Sequence, residues 1–206
     1  DAFPAGVTGE VDRDVLSAAG PVPVRHVARW VRWDRYRRRL PRRPARLATT
    51  WVTEPLDLAQ WRWLSRHSDT MAALRLHDLP VDPAPAAAVT LPPACWLVVH
   101  AGPVDEMATL LGAAEARRPS GTALVAVGPR DPQVPGVVHR FVVPAAPLAS
   151  RPEVLRVVTA GGAGSLRQFG PPSARHLVVP LGRALDDQAR RAAWSRDYGG
   201  DFAPLR

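Results

Sequence analysis

Lysine, asparagine and isoleucine are absent from this 206-residue sequence, and cysteine occurs once. Because there is no lysine, all 27 basic residues are arginine, and they give the chain a formal charge of +8. Such a charge favours an anionic partner, which could be nucleic acid, an acidic membrane surface or a phosphorylated substrate. The residue usage also indicates a GC-rich genome, so the arginine excess does not by itself identify a ligand.

The single cysteine, Cys95, cannot form an intramolecular disulfide, and no His/Cys cluster has the spacing of a metal site. These features predict a metal-free fold in a reducing compartment. The longest apolar runs are far shorter than the roughly 20 residues that span a bilayer, and no signal peptide is recognisable, so we expect a cytoplasmic protein. The first residue is Asp1 and not Met, which predicts a piece of a longer protein.

Proline and alanine dominate residues 82–94, and this composition predicts an extended connector because proline fixes φ and lacks a backbone donor. We therefore expect a partial α/β domain at 1–81 and a second domain at 95–206. In the second domain, short Val-rich runs alternate with amphipathic stretches, which predicts a Rossmann-like parallel sheet covered on both faces. The predicted strands are 96–100, 122–127, 137–143, 155–159 and 176–179, and the predicted helices are 104–117, 165–169 and 185–194.

The first half of the chain has a weaker α/β rhythm and no complete nucleotide fingerprint. Its predicted helices are 12–19, the basic stretch 30–40, and 56–65. Its predicted strands are 22–28 and 47–53, followed by an extended segment at 74–79.

A glycine-rich turn follows the apolar run that begins at Val157, with glycine at positions 161, 162 and 164 and Ser165 opening a helix. Backbone N–H groups converge at such a point without a Cβ in the way, and this arrangement favours a diphosphate. The alternative is a tight turn that needs glycine for positive φ and binds nothing. The turn alone does not decide between the two.

The order of motifs over residues 95–195 resembles the C-terminal donor-binding domain of the GT-B glycosyltransferases, near the MurG-type and glucuronosyl/glucosyltransferase families. That domain has a G-G-x-G-S-x-x-E turn, a V-P strand end, and a D-Q pair followed by N-A. The matching residues are Gly161–Gln168, Val179–Pro180 and Asp187–Ala192. In addition, 96–102 resembles the first strand and loop of that domain, and 141–144 resembles the segment facing the base. Residues 1–81 follow the order in which small MurG-like enzymes finish their acceptor domain.

The resemblance implies a metal-independent hexosyltransferase. It would use no cofactor, take a nucleoside diphosphate sugar such as a UDP-sugar as co-substrate, and pass the sugar to a hydroxyl acceptor. A lipid-linked acceptor would add peripheral contact with the inner face of the membrane. The implied contacts are Gly161, Gly162, Gly164 and Ser165 with the diphosphate, Val143 and Gln168 with the nucleoside, Asp187 and Gln188 with the donor sugar, and His100 and Gly102 from the first loop. The resemblance supplies no catalytic residue.

Two departures from the family pattern keep a second function open. Gln168 stands where the family has glutamate, and Arg191 stands where it has asparagine. A neutral amide accepts a ribose hydroxyl less strongly than a carboxylate does. The chain could therefore be a non-catalytic nucleotide-sugar-binding protein or a structural relic.

A third class is a basic nucleic-acid-binding or membrane-binding module built on residues 25–46, which contain ten arginines interleaved with Trp30, Trp33 and Tyr36. We favour the plainer interpretation, in which the aromatic residues pack inwards and the arginines are solvated. We likewise expect the Trp-rich stretch 60–65 to pack in a core more than to form a stacking platform. For His100, contact with a donor phosphate and a bond to backbone remain equal alternatives.

Overall fold

A computed structural model describes residues 22–40, 44, 46–78, 80, 82–142 and 144–198. Its described residues divide into two compact units, one with those from 22 to 77 together with 183–187 and the other with those from 78 to 182 together with 188–198. Each unit contains a parallel β-sheet flanked by helices. The fold is thus α/β, as predicted. The predicted helix 12–19 lies outside the described residues.

The first unit contains a three-stranded sheet in the order β1-β2-β3, and both neighbouring pairs are parallel. Its strands are β1 (Val24–Ala28), β2 (Leu47–Val52) and β3 (Ser68–Ala73), and its helices are α1 (Trp33–Tyr36), a 3₁₀ turn (Arg37–Arg39) and α2 (Leu58–His67). One buried cluster joins Leu64 of α2 to Leu47 and Val52 of the sheet. Strand β3 escapes prediction because only Ser68 in it is buried, so it has no apolar alternation.

The predicted basic helix over 30–40 is confirmed only over 33–39, as helix α1 and the 3₁₀ turn that follows it. Arg32 has ψ of 84°, which is not helical, and the helix begins only at Trp33. Leu40 is extended at ψ of 138°, because the proline that follows it disfavours the helical conformation. Inward packing of the aromatic residues is confirmed, since Trp30, Trp33 and Tyr36 are all buried.

The second unit contains a five-stranded parallel sheet in the order β6-β5-β4-β7-β8. Its strands are β4 (Cys95–Val99), β5 (Ala123–Val127), β6 (Val137–Arg140), β7 (Val154–Ala160) and β8 (His176–Val179). Its helices are α3 (Ala84–Ala87), α4 (Val104–Glu115), α5 (Ala163–Phe169) and α6 (Gln188–Asp197), with a 3₁₀ turn at Ala146–Ser150. This strand order is 3-2-1-4-5, the order of the first five strands in a doubly wound Rossmann-type sheet.

Alternate residues of β4 face two separate cores. Trp96 and Val98 pack in a cluster with α4, whereas Cys95 and Leu97 pack with Leu148 of the second 3₁₀ turn on the other side. A parallel sheet buried on both faces requires strands that are apolar throughout, and this accounts for the continuous Val-rich runs of the sequence. It also makes Cys95 a core residue, and burial raises the pKa of its thiol.

Several predicted segments of the second half differ from the structure. The strand expected over 137–143 ends at Arg140, the helix expected over 104–117 ends at Glu115, and the helix expected from 165 begins at Ala163. The stretch 82–94 is not wholly extended, because it includes helix α3 and buries Ala86 and Leu91 in the core of the second unit. The helix expected from residue 185 begins only at Gln188, since Leu185 packs beside the cluster Val31, Trp33 and Tyr36 of the first unit. None of the described helices combines the length and apolarity needed to cross a bilayer.

Candidate functional site

The carboxyl ends of the five parallel strands of the second unit lie along one edge of its sheet. From the central strand β4 the chain proceeds outward to β5 and β6, and it then returns to add β7 and β8 on the opposite side. The switch point therefore lies between β4 and β7. Ligands of open α/β sheets bind in the crevice outside the carboxyl ends at such a point.

The glycine-rich turn lies directly at this switch point, between the end of β7 and the start of α5. Positive φ occurs at three glycines among the described residues, Gly121, Gly136 and Gly170. The turn glycines are not among them, and Gly162 has an ordinary extended conformation with φ of −72° and ψ of 149°. The alternative in which these glycines serve a left-handed turn is therefore wrong.

Packing explains one of the three turn glycines. A Cβ built on Gly161 would lie 2.8 Å from the carbonyl oxygen of Gln188, which is too close for an unshifted structure. A Cβ on Gly162 would meet nothing nearer than Oγ of Ser165 at 3.9 Å, and a Cβ on Gly164 would meet nothing within 4 Å. Neither backbone conformation nor packing among the described residues requires glycine at 162 or 164.

Helix α6 holds Gly161 by both of its backbone polar groups. The side-chain Oε1 of Gln188 accepts the N–H of Gly161 at 3.1 Å and the N–H of Leu181 at 3.0 Å. The guanidinium of Arg191 donates to the carbonyl of Gly161 at 3.2 Å, and Arg191 is completely buried. Residues at positions i and i+3 of a helix lie on one face, so a single face of α6 fixes the turn.

This arrangement gives Gln188 a role that the sequence did not predict. The resemblance assigns Gln188 to the donor sugar, but its side-chain oxygen accepts from two backbone donors of the protein. Asp187, the other residue assigned to the sugar, is half-buried and belongs to the segment 183–187 of the first unit. Val143 lies outside the described residues.

The loop after β4 contains a half-buried contact between a histidine and a glutamate. Nε2 of His100 lies 2.8 Å from Oε2 of Glu106 in the first turn of α4, and the two side chains are 9% and 17% exposed. A Cβ on Gly102 would overlap Nε2 of His100 and approach Oε2 of Glu106 to 2.9 Å. Glycine at 102 therefore lets the pair form, and the sequence did not identify Glu106 as the partner of His100.

Gln168 is the predicted site residue that the structure separates from the turn. It is exposed in the last turn of α5 and lines a cavity of about 370 Å³ with Phe169, Arg156, Arg175 and His176. None of the turn residues 161–165 lines this cavity. Burial lowers the pKa of His176, whose ring nitrogens bond to Oγ1 of Thr159 and to the carbonyl of Gly170.

The described residues contain no group of three or more His, Cys, Asp or Glu side chains placed to hold a metal ion. Comparison of the chain with protein-family models, curated proteins and solved structures finds no match.

Proposed function

We propose that the second unit binds a nucleoside diphosphate sugar at the switch point between β4 and β7, as the donor-binding part of a GT-B glycosyltransferase. The observation that carries this proposal is the presence of Gly162 and Gly164 where neither φ nor packing calls for glycine. Gly164 lies inside helix α5, where glycine destabilises the helix by about 0.5–1 kcal/mol relative to alanine. Close approach of a ligand to the backbone gives a reason to keep it.

The turn would bind the diphosphate through the backbone. The first intrahelical bond of α5 runs from the N–H of Leu166 to the carbonyl of Gly162 at 3.1 Å. The N–H groups of residues 163–165 precede that bond and have no acceptor within their own helix. Gly162, the residue before the helix, has no side chain that could cap them. They would stabilise the negative charge on a diphosphate as it leaves the sugar, which is the electrostatic task of such a transferase.

The comparison of two helical glycines tests this proposal. At Gly164 in α5 and at Gly112 in α4, the position that a Cβ would occupy is surrounded by open space, so valine should fit at either position without a steric clash. We expect Gly164→Val to abolish stabilisation by nucleoside diphosphates in a thermal shift panel and Gly112→Val to leave it intact. In the parent, a ligand at about 100 times its dissociation constant should stabilise by roughly 2.7 kcal/mol.

A flat response of the folded parent protein to the whole panel would exclude the binding proposal. If instead the Gly164→Val and Gly112→Val variants respond alike, the ligand binds away from the glycine turn. Ser165→Ala removes one hydroxyl contact and should cost on the order of 1 kcal/mol of binding free energy. A small loss in Ser165→Ala reports a contact by the hydroxyl group, whereas complete loss in Gly164→Val reports blocked access of the ligand to the backbone.

A second candidate is a nucleotide-sugar-binding protein without transferase activity. The carbonyl oxygen of Gln188 is occupied within the protein, and buried Arg191 bonds to Gly161 where the family has asparagine. These two side chains of α6 therefore hold the glycine turn in place and are less available to contact a sugar. We expect these 206 residues to bind a nucleoside diphosphate weakly without turning over its sugar. Robust transfer activity would eliminate this candidate.

A further inference from the structure

An open groove of about 800 Å³ lies in the first unit, between α2 and the segment formed by α1 and the 3₁₀ turn Arg37–Arg39. Its floor includes Trp33 and Trp63, whose ring centroids are 5.8 Å apart. The groove also has four exposed arginines, Arg37, Arg38, Arg62 and Arg66.

These four arginines are not neutralised by the part of the chain that the structure describes. No ion pair found among the described residues involves them, and no aspartate or glutamate is among the described residues lining the groove. The backbone carbonyl of Arg66 accepts a bond from Arg46, which leaves the Arg66 guanidinium uninvolved in that bond. A concave surface lined by one sign of charge concentrates ligands of the opposite sign.

The two tryptophan rings of the groove are already stacked on side chains of the same unit. Trp63 stacks on His67 at 4.2 Å with an interplanar angle of 19°, and Trp33 stacks on Tyr36 at 5.9 Å with an angle of 26°. Trp33 is also only 7% exposed. Single-stranded nucleic acids gain much of their affinity from bases stacked on exposed rings. The groove lacks that feature, so its chemistry is that of the guanidinium groups.

We propose that this groove binds a ligand that carries two or more adjacent phosphate groups. Guanidinium groups bind phosphate oxygens through paired N–H donors, and arginines from two helical segments could engage neighbouring phosphates together. The rings of Trp33 and Trp63 form the apolar floor of the groove and pack α1 against α2. This site lies in the first unit and shares no residue with the glycine turn, so it does not depend on the proposed glycosyltransferase function.

The test compares two double variants with the same change in charge. Arg62→Gln/Arg66→Gln removes half of the arginine cluster, whereas Arg117→Gln/Arg130→Gln removes two exposed arginines of the second unit. Titration calorimetry with inorganic tripolyphosphate at low salt should show binding to the parent protein and a loss of at least tenfold in the groove variant. The control should stay within about twofold. Circular dichroism establishes that both variants are folded.

Two further arms locate the site and identify the source of the phosphate. Introducing Gly164→Val into both the parent protein and the groove variant removes any binding of tripolyphosphate at the glycine turn, so a loss that still depends on Arg62 and Arg66 is assigned to the groove. Vesicles of phosphatidylcholine with and without phosphatidylinositol bisphosphate distinguish a lipid headgroup from a soluble polyphosphate. Arginine-dependent binding to either the soluble probe or the anionic vesicles supports the proposal. Binding to neither probe, or equal binding by the groove and control variants, overturns it.

Discussion

Gln188 accepts the backbone N–H of Gly161 through Oε1 at 3.1 Å, although the two residues are 27 positions apart. The same oxygen accepts the N–H of Leu181 at 3.0 Å, so one amide joins the end of β7 to the segment that follows β8. Gln188 is itself buried. The glycine turn therefore takes its position from a side chain of α6 and not from its own local sequence alone.

Replacing Gln188 with methionine should destabilise the protein by about 2–4 kcal/mol, because two buried N–H groups lose their acceptor and each such loss costs roughly 1–3 kcal/mol. Gln168→Met is the matched control, because Gln168 is exposed and its change should stay within about 0.5 kcal/mol. Urea unfolding followed by tryptophan fluorescence measures both. Equal unfolding midpoints for the two variants would show that the amide bridge contributes nothing.

Neighbouring glycines of the turn should respond differently to alanine. In Gly161→Ala the new methyl group would lie 2.8 Å from the carbonyl oxygen of Gln188, and such overpacking typically costs about 1–3 kcal/mol. Gly162→Ala places its methyl group 3.9 Å from Oγ of Ser165, so we expect only a smaller loss of up to about 1 kcal/mol, because alanine is disfavoured at the residue before a helix. Thermal denaturation of the two variants provides the comparison. If Gly162→Ala is the more destabilising, the packing assigned to Gly161 is wrong.

His26 should make stability fall in acid. Burial lowers its pKa from 6.5 to about 4, so between these values the unfolded chain binds more protons than the folded chain. Stability is then fully present above about pH 6.5 and is lost as the pH falls toward 4, by on the order of 3 kcal/mol.

A pair of histidine variants tests this pH dependence. His26→Leu should flatten the curve of unfolding free energy against pH between 4 and 6.5. His77→Gln, at an exposed position, should leave the curve unchanged. A parallel pH dependence in the parent and His26→Leu would assign the acid sensitivity to other groups, such as His176.

Alanine at position 102 should separate His100 from Glu106. The added methyl group would occupy the space of the imidazole Nε2, so the ring must turn away and the pair at 2.8 Å is broken. We expect a loss of about 1–3 kcal/mol of stability and a change in the side-chain ¹⁵N resonances of His100. Gly182→Ala, with open space around its Cβ, is the control. Unchanged His100 resonances in Gly102→Ala would contradict the geometry.

The sequence is sufficient to predict the sheet of the second unit, because strands buried on both faces are short apolar runs that glycine and proline interrupt. Strand β8 begins and ends at its predicted residues, and β5 begins one residue later than predicted. Strands β4 and β7 differ from the prediction by one residue at each end, and β6 ends three residues early. A strand buried on both faces needs apolar side chains at every position, so its run of apolar residues can be recognised within one short segment of the sequence. Strand β3, exposed along most of its length, leaves no such pattern.

The details of the site depend on long-range contacts that no local pattern contains. The sequence locates the glycine turn correctly, but the clash that makes Gly161 necessary comes from Gln188 on a distant helix. The sequence points to His100, whereas its partner Glu106 has the pattern of an ordinary helical residue. The sequence predicts too early a start for α6, because Leu185 is apolar and next to the helix but packs in the core of the first unit.

The segment 183–187 has a consequence for how this chain can be divided. Leu185 lies against the cluster of Val31, Trp33 and Tyr36, and its carbonyl accepts the N–H of Arg32 at 2.7 Å. The first unit is therefore assembled from stretches of chain separated by more than one hundred residues. A protease cut near residue 80 would not release that unit in finished form, because one piece of its core would remain with the other fragment. Exchange of either half with another protein would have to carry this short return segment along with residues 1–77.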